Sequence, residues 1–193
     1  DGSIAIGHLA CAVQAGTGGL QFSDAQTAIG YKALTACTTG NGNVAVGFEV
    51  ALNLVDGVSN TVLGHQAGQS LNDSDYNVII GYRSAQSGST GGGSNNVAVG
   101  SHAFGQQNAA TGSGNVAIGQ GAMTYASSAS DSVAIGYQAA DAVTVDNKLV
   151  VIGKSAYSAM DTSTGWDGDT DASDGSGNTA IGYYSMAAYT NDG

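Results

Sequence analysis

The sequence contains no proline, and only 10% of its 193 residues are charged. Four side chains are basic, Lys32, Arg83, Lys148 and Lys154, against fifteen acidic ones, for a formal net charge of −11. So few cations exclude a surface built to grip a phosphate backbone or to lie on an anionic membrane. The negative charge itself speaks to solubility and association in an exposed or saline setting. Apolar runs are only a few residues long, so neither a transmembrane helix nor a signal peptide is expected. There are two cysteines, Cys11 and Cys37. They make no metal pattern and read as small apolar residues, with a disulfide open as an alternative in an extracellular protein. Scarce charge does not mean disorder here, because 42% of the residues are hydrophobic, many of them Val, Ile and Ala. The chain therefore folds, and its 31 glycines ask for backbone with positive φ or close packing. It starts at Asp1 and enters a repeat almost at once, so a piece of a longer protein is expected.

What the sequence has in abundance is one phrase. Aligned on a terminal glycine, ten copies appear: SIAIG, QTAIG, NVAVG, NTVLG, NVIIG, NVAVG, NVAIG, SVAIG, LVVIG and NTAIG. Their glycines are Gly7, Gly30, Gly47, Gly64, Gly81, Gly100, Gly119, Gly136, Gly153 and Gly182. Successive separations are 23, 17, 17, 17, 19, 19, 17, 17 and 29 residues, a period of 17 with two larger insertions.

Each column of the alignment has a physical signature. The residue before the glycine is Ile, Val or Leu in every copy, and the residue two places earlier is always β-branched. Alanine predominates between them, so a short strand puts large groups on one face and small ones on the other. The glycine permits a turn that a side chain would obstruct. Ala or Ser follows three places later in nine of ten copies, Val50 being the exception, and a second short strand is expected there. The two-residue period and the β-branched content disfavour helix throughout.

One such unit cannot bury its own apolar face, so the units are expected to stack in register as a parallel β-roll or β-solenoid. Ten rungs at roughly 4.8 Å give a single rod about 48 Å long over residues 1–193. The alanine face suits a thin interior. The Val/Ile face is a second apolar surface, which self-association of three copies would cover. The core of roll and trimer is therefore expected at Val44, Val46, Val97, Val99, Val116, Ile118, Val133 and Ile135. An Asn opens six phrases (Asn43, Asn60, Asn77, Asn96, Asn115 and Asn178), suited to a hydrogen-bonded ladder.

The phrases SVAIGYQAA and NTAIGYYSM resemble the head repeats of trimeric autotransporter adhesins. The 17-residue form in QTAIGYKALTACTTGNGNVAVG, at 26–47, is closer to repeats in bacteriophage tail fibres. The resemblance covers nearly the whole chain. It implies a left-handed parallel β-roll, a homotrimer, and an adhesive rod presented to a surface.

Candidate contact residues lie outside the phrase. The column after the glycine holds His8, Tyr31, Phe48, His65, Tyr82, Ser101, Gln120, Tyr137, Lys154 and Tyr183, seven of them aromatic or imidazole. A stack of such rings stabilises successive rungs. The alternative is contact with sugar rings of a host-surface receptor, with Tyr31, Tyr82, Tyr137, Tyr183 and Trp166 as candidates. The three histidines, His8, His65 and His102, fall in or beside this column in separate rungs, without metal or catalytic spacing. Two insertions, 12–25 and 161–177, break the rhythm, and loops on a rigid scaffold are where specific contacts concentrate. The second holds Trp166 and the acids Asp167, Asp169, Asp171 and Asp174. Alternate carboxylates begin a calcium-loop pattern, but Ala172 and Asn178 stand where glycine and glutamate belong. A solvated acidic loop and a calcium site are the two alternatives.

Enzyme chemistry lacks parts. Paired carboxylates across a cleft are missing, and the glycine-rich stretches carry no phosphate-cradling lysine. The expectation is a non-enzymatic trimeric segment of a phage tail fibre, on the virion, engaging a host glycan or protein receptor alongside flanking fibre parts. The head of a bacterial adhesin on the outer-membrane surface is the alternative, and a polysaccharide-degrading spike a third. Neither nucleic acid nor membrane insertion is expected.

Overall fold

A computed structural model of the chain describes residues 2–12, 25–86, 93–105, 112–126, 128–143, 147–158 and 177–187. Among the described residues every regular element is a three-residue β-strand. The strands are β1 (Ile4–Ile6), β2 (Thr27–Ile29), β3 (Val44–Val46), β4 (Thr61–Leu63), β5 (Val78–Ile80), β6 (Val97–Val99), β7 (Val116–Ile118), β8 (Val133–Ile135), β9 (Val150–Ile152) and β10 (Thr179–Ile181). They form one parallel ten-stranded sheet in sequence order, so the fold is a β-solenoid with one repeat phrase per rung. Register is constant. Ala117 lies between Ala98 and Ala134, and Ile118 between Val99 and Ile135. The two large insertions leave it intact, since Ile4 pairs with Thr27 and Val150 with Thr179.

The middle residue of each strand from β2 to β10 points inward and is buried. Facing it is the residue three places after the glycine, such as Ala33, Val50, Ala67 or Ala122, none of which is exposed at all. The interior is narrow, and volumes compensate within a rung. Where β4 turns Val62 inward, the facing turn carries Ala67 and Gly68, and a Cβ on Gly68 would meet Leu71 at 2.9 Å and Val62 at 3.0 Å. Where β5 turns in the larger Ile79, the facing position is again small, Ser84. Where β7 turns in only Ala117, Met123 fills the space. These rungs fill the interior by pairing large with small side chains.

The asparagine ladder forms, and it is internal. Asn43, Asn60, Asn77, Asn96 and Asn115 are all buried. The Asn60 side-chain amide donates to Asn43 Oδ1 at 3.0 Å and across the rung to the Ser74 carbonyl at 2.7 Å. The Asn60 backbone N–H also donates to Asn43 Oδ1, at 2.9 Å. Asn77 repeats this on Asn60 (3.0 Å) and Asn115 on Asn96 (3.1 Å). Each buried amide thus satisfies backbone groups that a dry interior would otherwise leave unpaired. Gln26 starts the column by accepting from the Asn43 N–H. Asn178 does not join. Ser132 and Leu149 occupy the two rungs between, and the Asn178 amide instead reaches the Tyr157 hydroxyl at 3.2 Å.

The repeat glycines form their own ladder, with φ between +127° and +148°. A Cβ built on Gly64 would land on the carbonyl oxygen of Gly81 in the next rung, and the same holds up the rod. The second strand expected after each glycine is replaced by a turn. The residues two and four places on adopt left-handed backbone, as at Lys32 (φ 53°) and Leu34 (φ 50°). Bonding between rungs nevertheless continues: the Lys32 N–H donates to the His8 carbonyl at 2.9 Å, and the Leu34 N–H to the Val50 carbonyl at 3.1 Å. Alternating handedness coils the chain tightly enough to bring the facing alanine over the strand. Each left-handed residue with a side chain costs of order 1 kcal/mol, offset by the inter-rung bonds.

Candidate functional site: the outer sheet face and the aromatic edge

The two outer columns of the sheet are largely aliphatic, with Thr27, Thr61 and Thr179 as the exceptions, and are uncovered in the single chain. None of Val44, Val46, Val97, Val99, Val116, Ile118, Val133 and Ile135 is buried. Leu63, Ile80, Ile118 and Ile152 are between 36% and 39% exposed although each is flanked by strands on both sides. Within the strands the burial order is thus inverted: alanine predominates at the inward position and the larger aliphatics face out.

Beside it runs the column that follows the glycines. His8 and Tyr31 stack at 5.6 Å and 9°, Tyr31 and Phe48 at 5.1 Å and 17°, and Phe48 and His65 at 5.0 Å and 12°. His65 continues to Tyr82 at 5.5 Å, tilted by 33°. In the next rung Ser101 holds the column position, and the neighbouring His102 closes the stack edge-on against Tyr82 at 5.4 Å. Ser101 Oγ lies 2.9 Å from His102 Nδ1, which orients the ring. Beyond Gln120, Tyr137 and Tyr183 are bridged by the Lys154 ammonium, 5.6 and 5.7 Å from the two ring centroids.

Three of the four basic residues lie on this edge. Lys32 sits over Tyr31 at 5.3 Å and Arg83 over Tyr82 at 5.2 Å, with Lys154 as just described. One carboxylate shares the adjoining column, Glu49, which accepts from Gln66 Nε2 at 3.0 Å. Gln66 in turn accepts from Arg83 Nε at 2.9 Å. The sequence signal for the cation pairs was the Tyr-Lys and Tyr-Arg dipeptides directly after Gly30 and Gly81. Their meaning depends on the left-handed second residue, which turns the cation back along the ring column.

Comparison with protein-family models, with curated proteins and with solved structures finds no match to this chain.

The remaining candidates are placed as follows. Trp166, Asp167, Asp169, Asp171 and Asp174 lie outside the described residues, as does nearly all of the 12–25 insertion. Among the described residues no three His, Cys, Asp or Glu side chains gather to hold a metal. Among them, too, no helix is long and apolar enough to cross a membrane. Cys37 is buried and Cys11 half-buried, and neither is in a disulfide; burial pushes the Cys11 thiol up, towards the unreactive protonated form. Asp141 has one carboxylate oxygen buried without a hydrogen-bond partner. Burial raises its pKa, and the backbone amides of Asp141 and Ala142 partly counter the shift.

Proposed function

We propose that the chain is a non-enzymatic segment of a homotrimeric bacteriophage tail fibre that serves host attachment. The observation that carries the reading is the outward aliphatic face. Ten rungs in constant register present one column of Val, Ile and Leu and one of Val, Ile and Thr to the outside, while alanine predominates at the inward strand position. Fully burying a large aliphatic side chain is worth roughly 1.5–3 kcal/mol, and covering the exposed third of one of these contributes about a third of that. A second and third copy packed around an axis parallel to the rod would cover this face along its whole length. The resemblance of the repeat phrases to phage fibre repeats supports three as the number and attachment as the role. It also supports a location on the virion, outside the cell. A rod of stacked identical rungs has the stiffness to hold receptor-binding parts at a distance, and its edges offer a surface of their own.

The head of a bacterial trimeric adhesin is the second reading, favoured by the SVAIG phrase that spans β8. It shares the trimer and differs in the flanking sequence, where a membrane-anchoring barrel or a virion-binding domain decides. The experiment for the shared core is Ile118→Asp. Three carboxylates would converge near the axis, and the expected result is loss of the trimer in sedimentation. A trimer that survives the substitution refutes the arrangement. An array of glycans probed with the intact particle tests attachment, and release of reducing ends from a host polysaccharide would contradict the non-enzymatic reading.

A further inference from the structure

The rings of the aromatic edge do not offer their faces. Tyr31 is stacked between His8 and Phe48, His65 lies between Phe48 and Tyr82, and Lys32 and Arg83 lie over tyrosine rings. A neutral sugar that binds by laying its apolar face on an aromatic ring finds few open rings there. What the edge does present outward is ring edges with hydroxyl and imidazole polar atoms, and a row of cations held in place by the rings beneath them. These cations recur along the rod. Lys32, Arg83 and Lys154 follow the second, fifth and ninth strands, and Lys154 lies between Tyr137 of the eighth rung and Tyr183 of the tenth. Successive cations are thus three and four rungs apart, about 14 and about 19 Å. In a chain of net charge −11, three of the four basic groups are committed to this line. The single carboxylate beside them, Glu49, is engaged by Gln66.

We propose that this edge binds an extended anionic polysaccharide. Carboxylates of the polymer pair with Lys32, Arg83 and Lys154, and its hydroxyls meet the tyrosine and histidine edges between them. The proposal rests on the attachment reading above and narrows its ligand from glycans in general to acidic ones. Charge spaced along a polymer fits cations three to four rungs apart. A densely charged polyphosphate does not, because the acid-rich remainder of the rod repels it.

The test uses the full chain with polygalacturonate, its methyl ester as the uncharged counterpart on the same backbone, and sedimentation as a parallel readout. The expected result is binding of polygalacturonate that weakens with salt, with at least tenfold weaker binding of the ester. Lys32→Gln, Arg83→Gln and Lys154→Gln should each weaken binding roughly 3-fold, and the triple variant about 30-fold, with the particle mass unchanged. Equal binding of the ester, no binding of polygalacturonate, or a triple variant that binds as well as the wild type overturns the proposal. A triple variant that instead falls apart shows the edge to be a seam between copies, and overturns it too. In the first three outcomes an intact trimer leaves the fibre reading standing, so the two failures are separable.

Discussion

The two faces of the same three-residue strand obey opposite rules. In β7 the inward Ala117 is 1% exposed and sits between other alanines, whereas the outward Ile118 is 38% exposed. The inner face is limited by its own rung: Met123 already fills the space over Ala117, while Ile79 fits the same position in β5 over the small Ser84 and Ala85. The outer face is specified by what it offers. The difference separates two roles within one phrase: the inner column and its asparagines close the chain on itself, and the outer columns are the ones the proposed trimer would cover.

The largest effect expected on this division comes from the inner scaffold. Gly64→Ala places a Cβ on the Gly81 carbonyl and forces an alanine into φ +133°. The protomer should lose about 4 kcal/mol or fail to fold, read as soluble yield and the midpoint of urea unfolding. Asn60→Ala is next. It strands the Asn77 donors and the Ser74 carbonyl in a dry interior and should cost about 3 kcal/mol in the same measurement. Ile118→Asp should separate from both by dissolving the assembly while the far-UV circular dichroism of the protomer persists. A substitution on the outer face that unfolds the chain like Gly64→Ala would erase the distinction between the faces.

The smallest effect concerns pH. Burial raises the Asp141 pKa in the folded state, so the folded protein binds that proton more tightly than the unfolded chain does. Stability from this group is therefore highest below the unfolded pKa and declines as pH rises through the folded one. Asp141→Asn should gain less than about 1 kcal/mol at neutral pH, since solvent still reaches the carboxyl. The gain should vanish at acid pH, where the wild-type side chain is protonated. A gain independent of pH would show that shape, not charge, was at issue.

The strands, their register and the asparagine ladder were legible because a solenoid repeats each local cause ten times. β-branched residues flanking alanine in most copies describe a two-faced strand, and the 17-residue interval stacks them. The turn after the glycine was not legible. Left-handed backbone announces itself through glycine or asparagine, but here Lys32, Leu34 and Phe104 adopt it, held by inter-rung bonds that local sequence does not display. Gly68 and Gly121, at those positions in other rungs, were the available hint. Asn178 shares its neighbours' phrase but not their ladder, because a ladder depends on the rungs beside it, and these hold Ser132 and Leu149. On the edge, the aromatic column could be read from the alignment. That its ring faces would be occupied by one another followed only from the stacking distances.

The central claim is that the outer aliphatic face is buried by two further copies of the chain. Native mass spectrometry of the wild-type protein tests it most directly. The account predicts a particle of three times 18.9 kDa, with no monomer at micromolar concentration. A stable species at 18.9 kDa under the same conditions would contradict it.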